Sequence, residues 1–132
     1  MKAAGRRATV LIIDDDASTR QLLKLHLSNA GYATLEAEDA IAGGRLLVER
    51  APDLVILEAR LPFLSGLDLI ATVAVDQSAP SMPVIFLASN DEDRSRAQQL
   101  GDACLMRPFF ADELLRVVAG LLHRDESQAL PT

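Results

Sequence analysis

Three features of the sequence predict an α/β fold, a doubly wound five-stranded parallel sheet with helices on both faces. Continuous apolar runs recur along the chain, clearest in Val10-Leu-Ile-Ile13, Leu54-Val-Ile-Leu57 and Val84-Ile-Phe-Leu-Ala88. These runs do not alternate with polar residues, as expected of strands buried on both faces of a parallel sheet. Between them lie stretches whose apolar residues repeat at helical spacing. At 132 residues the chain suits one such domain, placed over residues 8–123 with flexible ends at 1–7 and 124–132.

The first strand, Val10–Ile13, runs into Asp14-Asp15-Asp16. A helix over Ser18–Ala30 follows, with Leu22, Leu23, Leu27 and Ala30 at helical intervals and Gly31 as its stop. Tyr32–Ala37 reads as a short strand, less buried than the first. Asp39–Arg50 reads as a helix weakened by Gly43-Gly44 and closed by Pro52. The run Leu54–Leu57 ends at Glu58, and the loop Ala59–Gly66 carries Pro62 and Gly66. Leu67–Val75 is rich in β-branched residues, but its place between two strand-like runs predicts helix. Asp76–Pro83 reads as a polar loop, Val84–Ala88 as a strand, and Asp91–Leu100 as a charged helix stopped by Gly101. Ala103–Met106 is a last short strand before Arg107-Pro108. Finally, Ala111–His123 presents Leu114, Leu115, Val118 and Leu122 on the broad face of an amphipathic helix, and the tail after it reads as frayed.

Composition excludes several classes. Hydrophobic residues make up 49% and charged residues 24% of the chain, values of a folded globular protein rather than a disordered or collagenous one. Cys104 is the single cysteine, so neither an intrachain disulfide nor a Cys-based zinc site can form, and a reducing, cytoplasmic setting is expected. No uncharged apolar run approaches the roughly 18 residues of a membrane span. The short Thr9–Ile13 stretch, ending in three aspartates, is not a signal peptide. No membrane association is expected. The net charge of −6, concentrated in the second half with no basic stripe, argues against direct nucleic-acid binding and for protein or small-ligand partners.

Ligand sites in such sheets lie beyond the carboxyl ends of the strands. The informative residues are therefore Asp14, Asp15 and Asp16, Glu58, Ala88 and Ser89, and Arg107. Carboxylates from two strands that converge on one small acidic pocket repel, so the pocket needs a hard cation, an internal basic group or a protonated member. Arg107 is the internal candidate, because a guanidinium stays charged and can bind a carboxylate bidentately. A plainer role for the aspartates is to cap the helix that follows. His26 and His123 have no carboxylate or cysteine at ligand spacing and receive no catalytic role. Cys104, inside a strand, reads as a small core residue.

Taken in order, VLIIDDDASTRQLL, PDLVILEARLPFLSG, MPVIFLAS and GDACLMRPFF resemble the receiver domain of two-component response regulators, CheY-like proteins of flavodoxin-like (βα)5 fold. The resemblance covers about residues 8–123. It implies two acidic residues after the first strand that help hold Mg²⁺, here Asp14 and Asp15. It also implies an aspartate after the third strand that accepts a phosphoryl group from a histidine kinase. A Ser or Thr after the fourth strand and a Lys after the fifth bind the phosphoryl oxygens, an aromatic residue in the fifth strand changes rotamer on activation, and the Lys-Pro bond is usually cis.

This sequence departs from that pattern at the switch positions: Glu58 replaces the phosphoacceptor, Ala88 the hydroxyl, Arg107 the lysine and Cys104 the aromatic residue. Glutamate carries its carboxylate outward by roughly one C–C bond of 1.5 Å, and in-line phosphoryl transfer depends on tight positioning. Its charge of about −1 only partly mimics the roughly −1.5 to −2 of a phosphoryl group. Ala88 donates no hydrogen bond, and strand alternation turns Ser89 to the other face. A Glu58–Arg107 ion pair is therefore expected in place of the phosphoryl–lysine contact, with Arg107-Pro108 cis. The family's metal ligands would be Asp15, Glu58 and the Arg60 carbonyl, with Asp14 acting through water. A glutamate drawn onto Arg107 leaves that set short, so Mg²⁺ binding is expected to be weak or absent, and no other cofactor is implied.

The sequence thus predicts a stand-alone pseudo-receiver, not an enzyme, acting through signalling-protein contacts without aspartate phosphorylation. With no effector domain in these 132 residues, output by docking, dimerisation or titration of a partner is expected unless the chain is a fragment of a larger protein. The docking or homodimer face is expected on residues 91–123, with a smaller apolar patch at Ala71, Thr72, Ala74 and Val75. Two alternatives stand beside this reading. One is a response regulator still phosphorylated, at a carboxylate such as Asp14 or Asp16. The other, more remote, is a small Mg²⁺-dependent phosphatase of haloacid-dehalogenase type, suggested by Asp14-x-Asp16-x-Ser18 and Ser89.

Overall fold

The computed structural model describes residues 7–74 and 81–129. Strands β1 (Thr9–Ile13), β2 (Ala33–Ala37), β3 (Leu54–Glu58), β4 (Val84–Ala88) and β5 (Ala103–Met106) alternate with helices α1 (Ala17–Asn29), α2 (Ala40–Arg50), α3 (Gly66–Ala74), α4 (Asp91–Leu100) and α5 (Ala111–Ala129). The strands form one parallel sheet in the order β2-β1-β3-β4-β5. This is the doubly wound α/β architecture the apolar runs predict. Among the described residues no helix is long and apolar enough to cross a membrane.

The continuous apolar runs serve two cores, because successive side chains leave a strand on opposite faces. Val10, Ile12, Leu54, Ile56 and Ile85 pack with Leu23 of α1 and Leu114 of α5. Leu11, Ile13, Val55, Leu57 and Phe86 pack beneath α2, α3 and α4. Each such fully buried side chain stabilises the fold by roughly 1.5–3 kcal/mol. Helix starts are marked by side-chain caps: Asp16, Asp39 and Asn90 accept from the backbone N–H of Thr19, Ala42 and Asp93.

Most elements of the first half differ from the sequence reading by a residue at one end, and three further points stand out. Helix α2 is unbroken across Gly43-Gly44. A Cβ on Gly43 would stand 2.5 Å from Ile13 Cδ1, so the glycine lets α2 lie directly on β1. Helix α3 begins one residue early, at Gly66, while Val75 and residues 76–80 of the following loop lie outside the described residues. Helix α5 continues past His123 to Ala129, because Arg124 to Ala129 contain neither glycine nor proline to stop it. The strands that matter for function end on one edge, where they deliver Asp14, Glu58, Ala88-Ser89 and Arg107.

Candidate functional site

Register explains why two carboxylates meet. Ile12 of β1 lies opposite Ile56 of β3. Asp14 and Glu58 each follow two residues later on the same face, Glu58 as the last residue of β3 and Asp14 just after β1. Arg107 comes from the end of β5, where its backbone N–H bonds the Ala88 carbonyl at 2.9 Å. Its side chain reaches across the end of β4 to both acids. Nη2 donates to Asp14 Oδ2 at 2.8 Å and also to Glu58 Oε2, while Nε donates to Glu58 Oε2 at 3.1 Å. The other oxygen of each acid is held from its own loop: Asp16 N–H donates to Asp14 Oδ1 at 2.9 Å, and Arg60 N–H donates to Glu58 Oε1 at 3.3 Å. Both acids are buried. One guanidinium thus clamps β1, β3 and β5 together.

Electrostatics follow from burial. Desolvation pushes the Asp14 carboxyl above its ordinary value, against the lowering effect of the Asp16 N–H and Arg107. Desolvation also raises Glu58, again opposed by Arg107. Burial works against the Arg107 charge, but its bonds to Glu58 and Asp14 outweigh that and hold it firmly protonated. Two carboxylates sharing one cation leave the cluster with a surplus negative charge.

The three consecutive aspartates do not form one pocket. Asp14 joins the ion pair and Asp15 is exposed. Asp16 caps α1, accepting from Thr19 N at 3.1 Å and Thr19 Oγ1 at 2.6 Å, contacts that lower its pKa. Ala88 is fully buried in the α2–α4 core. Ser89, expected to turn away from the site, instead lines a cavity together with Arg107, because it is the α1/α5 face that carries the ion pair. Cys104 packs against that core, and burial raises its thiol pKa. The Arg107-Pro108 peptide bond is cis. The receiver pattern gives Mg²⁺ to Asp15 and Glu58, with Asp14 acting through water, and Asp15 is exposed here. Asp14 and Glu58 are both bonded to Arg107, and among the described residues no three acidic, His or Cys side chains converge as a metal cage.

Some features escape sequence reasoning. Asp93, read only as one charge of a charged helix, is buried and bonded. It accepts from Arg60 Nε at 2.6 Å and from Asn90 Nδ2 at 3.1 Å. This ties the loop after β3 to the start of α4. The Asn90-x-x-Asp93 spacing, a polar cap followed three residues on by an acid, is the one sequence signal for it. Asp91, Glu92, Arg94 and Arg96 of α4 and Asp112, Glu113 and Arg116 of α5 are exposed. Ala71 and Thr72 of the α3 patch are exposed as well, while the Ala74 side chain and Val75 lie outside the described residues.

Comparison with known proteins agrees with this architecture. A family model described as the response regulator receiver domain matches residues 10–119. The chain is 34% identical over 119 residues to the phosphate regulon transcriptional regulatory protein PhoB of Pseudomonas aeruginosa, covering 88% of this chain and 52% of that one. It is 37% identical over 127 residues to the transcriptional regulatory protein GltR of the same organism, covering 94% and 52%. The chain therefore spans about half the length of these relatives. Among solved structures, a CheY-like response regulator receiver domain protein from Methanospirillum hungatei superposes with a TM-score of 0.85, at 24% identity over 93% of this chain and 99% of that one, a likeness of fold. A sheet of this topology, with its acids and a cis Arg-Pro step at the carboxyl edge, and a family match over most of its length, make the chain a member of the response regulator receiver domain family of two-component signalling.

Proposed function

We propose that this receiver is a pseudo-receiver, in which a standing Asp14–Arg107–Glu58 ion pair takes the place of aspartate phosphorylation and output runs through protein contacts. The observation that supports the reading is the sharing of Arg107 between two buried carboxylates, groups that a phosphoryl group and Mg²⁺ would otherwise engage. Glu58 is longer than the family's aspartate, and Ala88 supplies no hydroxyl. Asp14, a conceivable alternative acceptor or phosphatase nucleophile, has both oxygens engaged and is 1% exposed. Asp16 is committed to its cap. Mg²⁺ binding is weak or absent and the chain is not an enzyme under this reading.

The docking or dimer face lies on residues 91–123, where exposed charges of both signs on α4 and α5 suit a polar protein partner. The relatives are named as transcriptional regulators, one of them, RpaA of Synechocystis, as DNA-binding. The acidic balance of this chain supports protein rather than nucleic acid as its direct partner. The lone Cys104 suits a reducing, cytoplasmic setting.

Incubation with acetyl phosphate and Mg²⁺ followed by intact-mass measurement tests the reading. The unaltered chain is expected to show no phosphoryl adduct, and the triple variant Glu58→Asp, Ala88→Thr, Arg107→Lys to gain one. An adduct on the unaltered chain that disappears when Asp14 or Asp16 is replaced would return it to conventional phosphotransfer.

A further inference from the structure

A cavity of about 470 Å³ opens on the α1/α5 side of the sheet, beside Arg107. Its walls are mainly apolar, formed by Leu22 and Leu23 of α1, Pro108 and Phe109 of the turn after β5, and Leu114 of α5. Thr19, Ser89 and Arg107 line it at the carboxyl edge, and His26 stands two turns of α1 farther along. Apolar walls with a few convergent polar groups, in a volume of roughly 300–1,000 Å³, characterise small-molecule sites.

Two observations define the chemistry it suits. Leu22 is 56% exposed at this cavity, apolar surface that an occupant would remove from water. Arg107 engages the carboxylates through Nε and Nη2, and its Nη1 donors make no hydrogen bond among the described residues. Because the guanidinium already serves two carboxylates, a third anion would enter a field of net negative charge. An uncharged acceptor meets no such repulsion.

We propose that this cavity binds a small, mainly apolar, uncharged molecule with a carbonyl at one end, the carbonyl accepting from Arg107 and the body lying between Leu22, Leu23, Phe109 and Leu114. The inference is independent of whether the chain is phosphorylated. An occupant there touches the residue that joins β1, β3 and β5, so its binding is linked to the geometry of the ion pair.

Titration of the ¹⁵N-labelled full chain with three matched probes tests it: benzophenone, diphenylmethane (the same two rings without the carbonyl) and 2-benzoylbenzoate (the same ketone with an added carboxylate). Benzophenone is expected to shift the amides of Thr19, Leu22 and Phe109 and the Nε–H of Arg107 saturably. It should bind about fivefold tighter than either of the other two probes. Leu22→Lys, at an exposed position that leaves folding intact, should weaken benzophenone by about tenfold. The absence of saturable shifts at these residues with all three probes, or undiminished binding by Leu22→Lys, overturns the site. Binding of diphenylmethane or 2-benzoylbenzoate as tight as that of benzophenone overturns the assigned ligand class.

Discussion

Two arginines stand at the carboxyl edge of the sheet, and their surroundings differ sharply. Arg107, at the centre, has 28% of its side chain exposed and faces acids exposed by 2% and 11%. Arg60, at the rim, has 68% of its side chain exposed and pairs with Asp93. At the rim the arginine stays in water, gives up little hydration and gains little from the pair. At the centre, two carboxylates have lost their water and depend on one guanidinium and one backbone N–H apiece. The centre therefore holds two buried carboxylates on one cation, whereas the rim holds one, Asp93, which also accepts from Asn90. The central pair is costly to break rather than strongly stabilising in itself.

The largest effect that follows is at Arg107. Arg107→Gln leaves two buried carboxylates without a cation and is expected to lower the unfolding free energy at neutral pH by about 3 kcal/mol, read by urea denaturation. At the rim, Asp93→Ala removes the acceptor for Arg60 and Asn90 and should cost about 1.5 kcal/mol. Arg60→Ala, which leaves Asp93 still bonded to Asn90, should cost less than Asp93→Ala. Equal losses at Arg60 and Arg107 would abolish the distinction between centre and rim.

Glu58→Gln sharpens the comparison by changing its sign. It keeps an acceptor for Arg107, leaves Asp14 and Arg107 paired one to one, and removes a buried charge, so stability at neutral pH should rise by about 1 kcal/mol. The pH dependence has the same origin. Folded Asp14 and Glu58 have raised pKa values, so the folded chain holds protons that the unfolded chain has released. Their contribution to stability falls as pH rises from their ordinary values through the raised ones, and it returns on acidification across that window. Asp16, whose pKa is lowered, works in the opposite direction: its contribution is present above its ordinary value and lost as pH falls through the lowered one. Denaturation curves collected across the acid range should show a flatter dependence in Glu58→Gln than in the unaltered chain.

The smallest expected effect lies in the loop after β3. Phe63 is fully exposed and adopts φ 69°, a left-handed conformation that costs an L-residue energy. Phe63→Gly relieves that strain, loses no packing and adds freedom to the unfolded chain. The net gain should be about 0.5 kcal/mol, measured by the same denaturation.

Which parts of this were legible in the sequence depends on the physics behind each. Strands β4 and β5 and helix α4 could be bounded to the residue because apolar runs, Asn90 and Gly101 mark them locally. The contact between Glu58 and Arg107 was legible because both follow strands of one sheet. That acids after β1 would gather there too was legible; which of the three aspartates takes part was not. It depends on Ile12 lying opposite Ile56, and strands apolar on both faces leave their register unmarked. Asp93 was hidden among exposed charges, since burial of one helical acid depends on a partner 33 residues away. The cavity beside Arg107 is set by the spacing of α1 and α5, which no local pattern records.

The central claim, a site held by its own ion pair, is tested most directly by amide NMR spectra of the chain alone, with Mg²⁺, and with Mg²⁺ plus beryllofluoride, the phosphoryl mimic. The account predicts no shifts around residues 14–16, 58, 88 and 107 in any of the three. Saturable shifts that begin there and spread into residues 91–116 would contradict it, because they would show that the ion pair opens and the switch still operates.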